Sequence, residues 1–577
     1  MNRYLKSLLN LFLVSIVLFS CSDKELPVAA TILKNGNIYT VDENNMKAEA
    51  IAILGDRILD VGTSADMEKY KGENTKIIDL KGKTLTPGFI EGHGHFMGLG
   101  YNELNLDLMD VKSYDELVER VEEAVANAKP GEWIVGRGWH QSKWDNTNEK
   151  MIKGFQTHDK LSAVSPDNPV YLRHASGHAG MANTKAMEIA GVLQMSKENL
   201  TEEEVEGGEV IRDELGNPTG IFNERAMTLI TKNIPENTEE RDRQALQLAI
   251  EASWRNGITS FHDAGVGRET IDLYKKYKEE GKLGVRLYVM LTGFDKELLA
   301  EWYEKGPEID TMDNLLTIRS VKLNCDGALG SRGAWLLDEY TDRPGHFGMP
   351  TLPMEFVAET LKDGLEHGFQ VCAHAIGDRA NKEILDRYEN AFKENGNVGD
   401  VRYRIEHAQH LHPDDIPRFG ELKVIPAMQA VHMSSDRPWA IDRLGEKRIV
   451  EGAYMWQALI QSGAVLVNGT DVPVEPVDPL ASFYASVSRK TLAGTPEGGY
   501  EPEQKLTREQ ALKSYTWNAA YGAFEENVKG SIEKGKLADF TVFSDDIMTI
   551  PENDILTTKV AMTIVGGEVV YENEEVK

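Results

Sequence analysis

The feature that most constrains the fold is an eightfold alternation of apolar strand candidates with amphipathic helical patterns. Alternation of this kind is typical of parallel βα units, because a crossover helix must connect each strand to the next. Eight such units close into a (β/α)₈ TIM-type barrel of the α/β class, whose chemistry lies at the carboxyl ends of the strands. The strand candidates cover residues 84–95, 257–265, 285–291, 318–327, 369–377, 403–410, 424–433 and 464–473.

The segments outside this alternation predict two further parts. Residues 28–85 and 526–577 carry short alternating strands separated by glycines, which indicates a small β-sandwich domain built from both termini. The barrel is then predicted over residues 86–525. Because about 150 residues separate the first two strand candidates, far more than a βα loop requires, we expect an insertion at about 100–250 to cover the barrel mouth.

The composition excludes several classes of protein. A hydrophobic fraction of 41% and a charged fraction of 27% are ordinary for a globular protein and argue against a polytopic membrane protein. The 63 basic and 93 acidic residues give a formal net charge of −30, so binding to the phosphates of nucleic acid is not expected. The 3 cysteines cannot form a disulfide framework. On this charge balance, nucleic acid is therefore not an expected partner.

The first 25 residues have a pattern of their own. A basic start precedes an apolar run from Leu8 to Phe19, which is too short to span a bilayer as a mature helix. The run ends in LFSC, which resembles a bacterial lipobox, so residues 1–20 are predicted to be a lipoprotein signal peptide and Cys21 the lipidated first residue. The protein would then reside at the cell envelope and contact the membrane only through its lipid anchor. The alternative is a plain secretory signal in which Cys21 has no role.

Polar side chains stand at the ends of several predicted strands. The first candidate ends in His93 and His95, whose spacing puts both imidazoles on one side of an extended chain, within reach of one cation. Lys322 lies inside the apolar run of the fourth candidate, where an ammonium group needs a partner, a lowered pKa or a covalent modification. The fifth, sixth and eighth candidates end in His374, His407 and Asp471. Because the strand ends meet at one face of a barrel, these residues are predicted to form one site.

Each of these residues also has a purely structural interpretation. A single histidine on a strand is more often a hydrogen-bonded core residue than a metal ligand. His262 is interpreted in that way, and His432 has either that role or one in substrate contact. The structural interpretation weakens for a whole set of ligand-type residues that share one face of a barrel.

Several motifs in this order resemble the amidohydrolase superfamily. They are the strand lysine and residues 87–95, 371–381, 404–410 and 468–476. Within that superfamily, residues 321–336 and the long insertion resemble the YtcJ-like branch, to which N-substituted formamide deformylases belong. The resemblance covers nearly everything after residue 30.

The resemblance implies a binuclear metal centre. The more buried ion would be bound by His93, His95 and Asp471, and the second by His374 and His407. Lys322, carbamylated by CO₂, would bridge the ions, and such ligands suit two divalent ions, zinc above all. Asp471 would also be the general base toward the activated water. Gly94 departs from the bulkier residue common in the family, but it leaves both histidines in place.

The predicted function is a metal-dependent amidohydrolase that cleaves an amide-type C–N bond. The same site would also suit a hydrolase of an ester or a carbamate, or a deaminase of a cyclic amidine. A different class is a non-catalytic substrate-binding lipoprotein, which has no use for the complete ligand set. The substrate-binding candidates, for which ordinary salt bridges and loop hydrogen bonds are an equal alternative, are Arg173, His178, Asp326, Arg332 and His432. The sequence leaves open whether the protein is a monomer or a homodimer.

Overall fold

The computed structural model describes residues 26–141, 144, 151–175, 179–194, 208–235, 237–396 and 399–576. The predicted signal peptide, the predicted lipidation site Cys21 and the substrate-binding candidate His178 lie outside these residues. In the described part of the chain, no helix combines the length and the apolar character that crossing a membrane requires.

Eight parallel strands form the central sheet and follow one another in chain order, so the predicted (β/α)₈ barrel is confirmed. The strands are buried along almost their whole length, as expected for a parallel sheet that is covered by helices. They are β1 (Phe89–Gly94), β2 (Ile258–Val266), β3 (Arg286–Thr292), β4 (Leu316–Asn324), β5 (Gln370–Ala375), β6 (Arg404–His407), β7 (Ile425–Met428) and β8 (Val467–Asn468).

The barrel closes at a seam between the end of β1 and the residues that follow β8. The Asp471 N–H donates to the His93 carbonyl at 2.8 Å, and the His95 N–H donates to the Val472 carbonyl at 2.8 Å. Strand β8 has only 2 residues in regular pairing, and these backbone bonds continue the contact with β1 beyond its end. Three predicted metal ligands, His93 in β1, His95 directly after it and Asp471 in the loop after β8, are therefore fixed to each other through the main chain.

The outer layer consists of amphipathic helices. In the helix Asp378–Glu394, the apolar residues Ile384, Leu385 and Tyr388 recur at helical spacing and are buried, while charged residues cover the outer face. The helices around the barrel are Phe96–Leu104, Glu239–Arg255, Arg268–Glu279, Lys296–Lys305, Met354–His367, Asp378–Glu394, Ile416–Leu422, Ala430–Gly452, Trp456–Gln461, Pro479–Ser488, Arg508–Ser514 and Trp517–Gly522.

Strands from both ends of the chain form one β domain. The N-terminal strand Thr84–Pro87 pairs with the C-terminal strand Phe540–Phe543, and residues of both termini share one apolar core. In sheet order, the six-stranded sheet is Glu568–Glu572, Val560–Val565, Phe540–Phe543, Thr84–Pro87, Asn37–Tyr39 and Lys47–Ala48. The four-stranded sheet is Arg57–Gly62, Ala50–Leu54, Thr31–Lys34 and Lys76–Asp79, with the short helix Ser64–Met67 nearby.

A buried ion pair joins this β domain to the barrel. Arg286 at the start of β3 donates from Nε and Nη2 to the two carboxylate oxygens of Asp539, at 2.6 and 2.9 Å. The Gly566 N–H donates to the same carboxylate at 2.8 Å. Since both charged side chains are only 4% exposed, each depends on the other for its compensating charge.

The insertion between β1 and β2 forms a six-stranded sheet of its own. Strands Ile134–Trp139 and Val170–His174 run parallel, with Arg137 and Arg173 as register partners. In sheet order, the strands are Gly208–Arg212, Pro218–Glu224, Ala179–Ala182, Val170–His174, Ile134–Trp139 and Leu106–Asp107. A two-stranded ribbon consists of Met151–Ile152 and Phe155–Gln156, and the helices are Tyr114–Asn127, Asp159–Val164, Thr184–Ile189 and Thr228–Thr231.

Candidate metal centre

The structure brings the predicted strand-end residues together at the carboxyl end of the barrel. Lys322 Nζ lies 3.1 Å from His93 Nε2. Asp471 Oδ1 lies 3.3 Å from His95 Nε2 and 3.7 Å from His93 Nε2. The ring centroids of His374 and His407 are 4.3 Å apart, and those of His93 and His407 are 5.1 Å apart.

Among the described residues, two groups of donor atoms are compact enough to surround a cation. One is His93, His95 and Asp471, and the other is His407, His432 and Asp471, with the donor atoms of each group within 4.8 Å of one another. The first group is the triad that the family resemblance implies. His432, predicted for substrate contact, therefore lies among the candidate ligands. His374 lies beside the second group, with its Nε2 3.4 Å from Asp326 Oδ1.

Two of the candidate ligands have an unusual backbone conformation. His407 has a φ of 76° and Asp471 a φ of 59°, in the left-handed region that residues other than glycine rarely adopt. Such a conformation costs about 1–3 kcal/mol and persists only where surrounding contacts hold it. For Asp471, the backbone bonds of the barrel seam supply that restraint.

Hydrogen bonds at Nδ1 orient three of the imidazoles. The bonded pairs are His93 with the Glu406 carboxylate, His95 with the Ala264 carbonyl at 2.9 Å, and His407 with Gln429 Oε1 at 2.7 Å. Because an acceptor faces each Nδ1, the neutral form of each ring carries its proton there and keeps the lone pair of Nε2. This is the arrangement by which proteins orient histidine ligands toward a metal ion.

Burial above all favours the neutral form of His93. Burial would raise the pKa of Glu406, but the Arg404 guanidinium, which donates two hydrogen bonds to it, holds that pKa well below its usual range. Burial and the neighbouring Lys322 lower the pKa of His93 to about 4, against the attraction of Glu406. His93 is therefore neutral at pH 7, which is the form that binds a metal ion.

The donor set fits a divalent metal ion. Asp471 Oδ1, His374 Nε2 and His432 Nε2 are buried and have no hydrogen-bond partner among the described residues. Buried polar atoms without a partner are rare in proteins and indicate an unfilled interaction. Neutral imidazoles together with a carboxylate form the ligand set that zinc and similar ions prefer.

Comparison with known proteins identifies the family to which these residues belong. Residues 76–571 match Amidohydro_3, the amidohydrolase family. The chain belongs to this family. The match begins in the N-terminal part of the β domain and ends in its C-terminal part, so it includes the barrel and the insertion.

This amidohydrolase resembles several proteins over almost its whole length. It is 33% identical to Protein LONG AFTER FAR-RED 3 of Arabidopsis thaliana over 556 residues, which are 94% of this chain and 92% of that protein. It is 30% identical to the putative amidohydrolase YtcJ of Bacillus subtilis over 551 residues, 94% of this chain and 99% of YtcJ. It is 27% identical to the N-substituted formamide deformylase of Arthrobacter pascens over 550 residues, 93% and 97% of the two chains.

A solved structure also supports the assignment. The crystal structure of an uncharacterized metal-dependent hydrolase from Pyrococcus horikoshii is 30% identical, with a TM-score of 0.72 and coverage of 90% of this chain and 99% of that one. The predicted superfamily is thus confirmed, and the protein is a metal-dependent hydrolase of the amidohydrolase type that acts on small molecules.

Lys322 is fully enclosed at the centre of this amidohydrolase. Burial lowers the pKa of its ammonium group below the ordinary lysine value, against the attraction of the Glu406 and Asp471 carboxylates. Its Nζ lies within hydrogen-bond distance of the His93 Nε2 atom. The lysine therefore lies among the candidate ligands rather than in a salt bridge at the surface.

The other predicted substrate-binding residues have different surroundings. Asp326 accepts backbone N–H bonds from Ile376 at 3.0 Å, Gly377 at 2.9 Å and Trp335 at 2.9 Å, which fixes the loop after β5. Arg332 donates to Asp342 at 2.7 Å in a partly exposed ion pair. Arg173 lines a cavity between the insertion and the barrel. Their role in substrate binding stays a prediction.

Sequence reasoning missed the residues that hold the histidines in place. Arg404 and Glu406 stand two residues apart in β6, so both point to the same side of the strand, into the barrel. A buried pair of opposite charges at this spacing beside His407 is a signal that was available in the sequence. Gln429 gives no comparable signal, because an isolated glutamine after a strand is common.

Proposed function

We propose that this amidohydrolase cleaves an amide-type C–N bond of a small molecule, with Asp471 as the general base. The observation that carries the proposal is the position of Asp471, whose Oδ1 lies 3.3 Å from His95 and 3.7 Å from His93 and has no hydrogen-bond partner among the described residues. The name of the Arthrobacter pascens relative, an N-substituted formamide deformylase, supports a C–N bond over an ester.

The proposal includes two divalent metal ions, with zinc as the first choice. The residues proposed to hold them are His93, His95, Lys322, His374, His407 and Asp471. When bound, the ions would polarise a substrate carbonyl and lower the pKa of a water molecule. Burial of Lys322 and its 3.1 Å distance to His93 support its proposed role as a carbamylated bridge, because a carbamate replaces a costly buried cation by an anionic ligand.

The chain's own residues then position the reaction and move its proton. Asp471 accepts a proton from the attacking water and delivers it to the leaving nitrogen. The nitrogen needs this proton because it leaves as a neutral amine. Glu406 keeps the His93 ring oriented through Nδ1, and Arg404 keeps Glu406 ionised. The backbone bonds of the seam keep Asp471 from turning away from the two histidines of β1.

We also propose that the protein is a lipoprotein of the cell envelope, anchored through Cys21. The support is the basic start, the short apolar run and the LFSC sequence that ends in Cys21.

Metal analysis combined with a substrate panel tests the proposed function. Purified protein is expected to contain close to two divalent ions per chain and to release amine from N-formyl and N-acyl amines. The matched panel contains esters with the same acyl groups. Hydrolysis of the esters alone would refute cleavage of a C–N bond. Absence of divalent ions from protein that was never exposed to a chelator would refute the metal centre.

A further inference from the structure

A cavity of about 530 Å³ lies between the insertion and the barrel, in the size range of small-molecule sites. The barrel contributes Gly98 and Pro473 to its wall, and the insertion contributes Arg137, Tyr171 and Arg173. Gly98 follows His95 by three residues, and Pro473 follows Asp471 by two. The cavity therefore lies next to the candidate metal ligands.

The charge of this cavity is opposite to that of the whole chain. Of the 14 described residues that line it, two are arginines and none is acidic. The chain as a whole has a formal net charge of −30. Two cationic and no acidic side chains among these described residues are therefore not what the average composition would give.

The fold places the two arginines side by side on one face of the inserted sheet. Arg137 and Arg173 are register partners on parallel strands, so both side chains leave the sheet on the same side. The opposite face, which includes Ile134 and Leu172, packs into an apolar core. Like charges directly opposite each other destabilise a sheet. A bulge at Gly138, which has a φ of 110°, follows Arg137 immediately, and bulges often redirect side chains beside active sites.

The guanidinium of Arg137 is half-buried at the wall of this cavity. Its Nε is buried and has no hydrogen-bond partner among the described residues. Burial lowers the pKa of Arg137, and the Arg173 charge lowers it further, whereas the Asp471 carboxylate opposes both effects. The electrostatic influence of Asp471 also shows that the guanidinium lies near the proposed general base.

We propose that Arg137, with Arg173 beside it, binds a carboxylate group of the substrate, so that the substrates are amides carrying a carboxylate. This inference rests on the proposed function of the same site. A guanidinium matches the planar carboxylate with two parallel hydrogen bonds, and a bound carboxylate would give the buried Nε of Arg137 an acceptor. The apolar wall formed by Val135, Met227 and Ile234 suits a hydrocarbon portion of the same molecule.

Calorimetric titration with benzoate, benzamide and inorganic phosphate tests the inference without turnover. Benzoate is expected to bind the metal-loaded enzyme at least tenfold more tightly than benzamide. Arg137→Gln should weaken benzoate about 10- to 100-fold, the range for a charge-assisted hydrogen bond, and leave benzamide unchanged. Arg137→Lys, which keeps the charge without the planar fork, should fall between the two. Arg212→Gln is the matched control, since Arg212 lies on another strand of the same sheet, outside the cavity lining.

Three results would overturn the inference. The first is equal affinity for benzoate and benzamide. The second is benzoate binding that survives in a folded Arg137→Gln variant, which would place the anion on the metal ions instead. The third is phosphate that binds more tightly than benzoate and depends equally on Arg137, which would change the substrate class to phosphates. Equal rates of hydrolysis for amides with and without a carboxylate group would refute this inference but not the proposed function. Benzoate binding that depends on Arg137, in an enzyme that hydrolyses no amide, would refute only the proposed function.

Discussion

Replacement of Asp471 by asparagine separates its two proposed roles, ligand and general base. Asparagine has the same shape and keeps one side-chain oxygen that can lie near His93 and His95. In the parent protein, the Nε2 atoms of these histidines lie 3.7 and 3.3 Å from Asp471 Oδ1. It cannot accept a proton at that oxygen. We therefore expect Asp471→Asn to keep much of its metal and to lose about 10²–10⁴ in kcat, the usual contribution of a positioned acid–base group. This loss equals about 3–5 kcal/mol in activation free energy.

The assay measures metal content by elemental analysis and kcat by amine release on the same preparation. Excess zinc should not restore the rate of Asp471→Asn, because added metal cannot replace a proton acceptor. Asp478→Asn is the matched control, since Asp478 is partly buried but caps the helix Pro479–Ser488, a position where asparagine serves as well. Turnover close to that of the parent enzyme in a metal-replete Asp471→Asn variant would refute the role, and His432 would be the next candidate for the base.

Three further predictions concern the bridge, the anchor and the domain contact. Lys322→Ala should lose most activity and regain part of it with added short-chain carboxylates, measured by amine release, whereas a fully active Lys322→Arg would exclude a carbamate. Cys21→Ser should move the protein from the membrane fraction to the soluble fraction on immunoblots, and an unchanged distribution would contradict lipidation. Asp539→Ala should lower the free energy of unfolding by about 3–5 kcal/mol, because it leaves Arg286 buried without its carboxylate. Asp110→Ala, at the exposed pair with Arg120, should cost less than about 1 kcal/mol in the same urea titration, and equal effects would contradict the argument.

The barrel could be predicted from the sequence because its strands are nearly continuous apolar runs that end in polar residues. That local pattern locates His93, Lys322, His374 and His407 without any knowledge of tertiary structure. The pattern could not show that β8 has only 2 paired residues or that Asp471 has a left-handed backbone. The backbone of Asp471 is held by its bond to His93 in β1, which lies almost 400 residues earlier in the chain.

The length of chain between β1 and β2 predicted an insertion, but it did not predict the order of strands in the inserted sheet. The contribution of the insertion to the site was predicted only in part. Arg173 was among the candidates, whereas Arg137 lies in a short strand whose sequence resembles many others. Its significance comes from the parallel register with Arg173 and from the cavity in front of both. Register between strands over 30 residues apart is a tertiary property that a single sequence does not display.

Because of the barrel seam, the candidate metal centre is complete only after the first and last strands of the barrel have joined. Its donors come from both sides of the seam, His93 and His95 from β1 and Asp471 from the loop after β8. A growing polypeptide therefore has no complete first donor group until the eighth strand has been synthesised and joined to the first. An ion that binds only the joined state stabilises it by mass action, by about 2.7 kcal/mol at 100 times its dissociation constant. Metal supply during synthesis would thus determine how much of the protein survives proteolysis, in addition to how much of it is active.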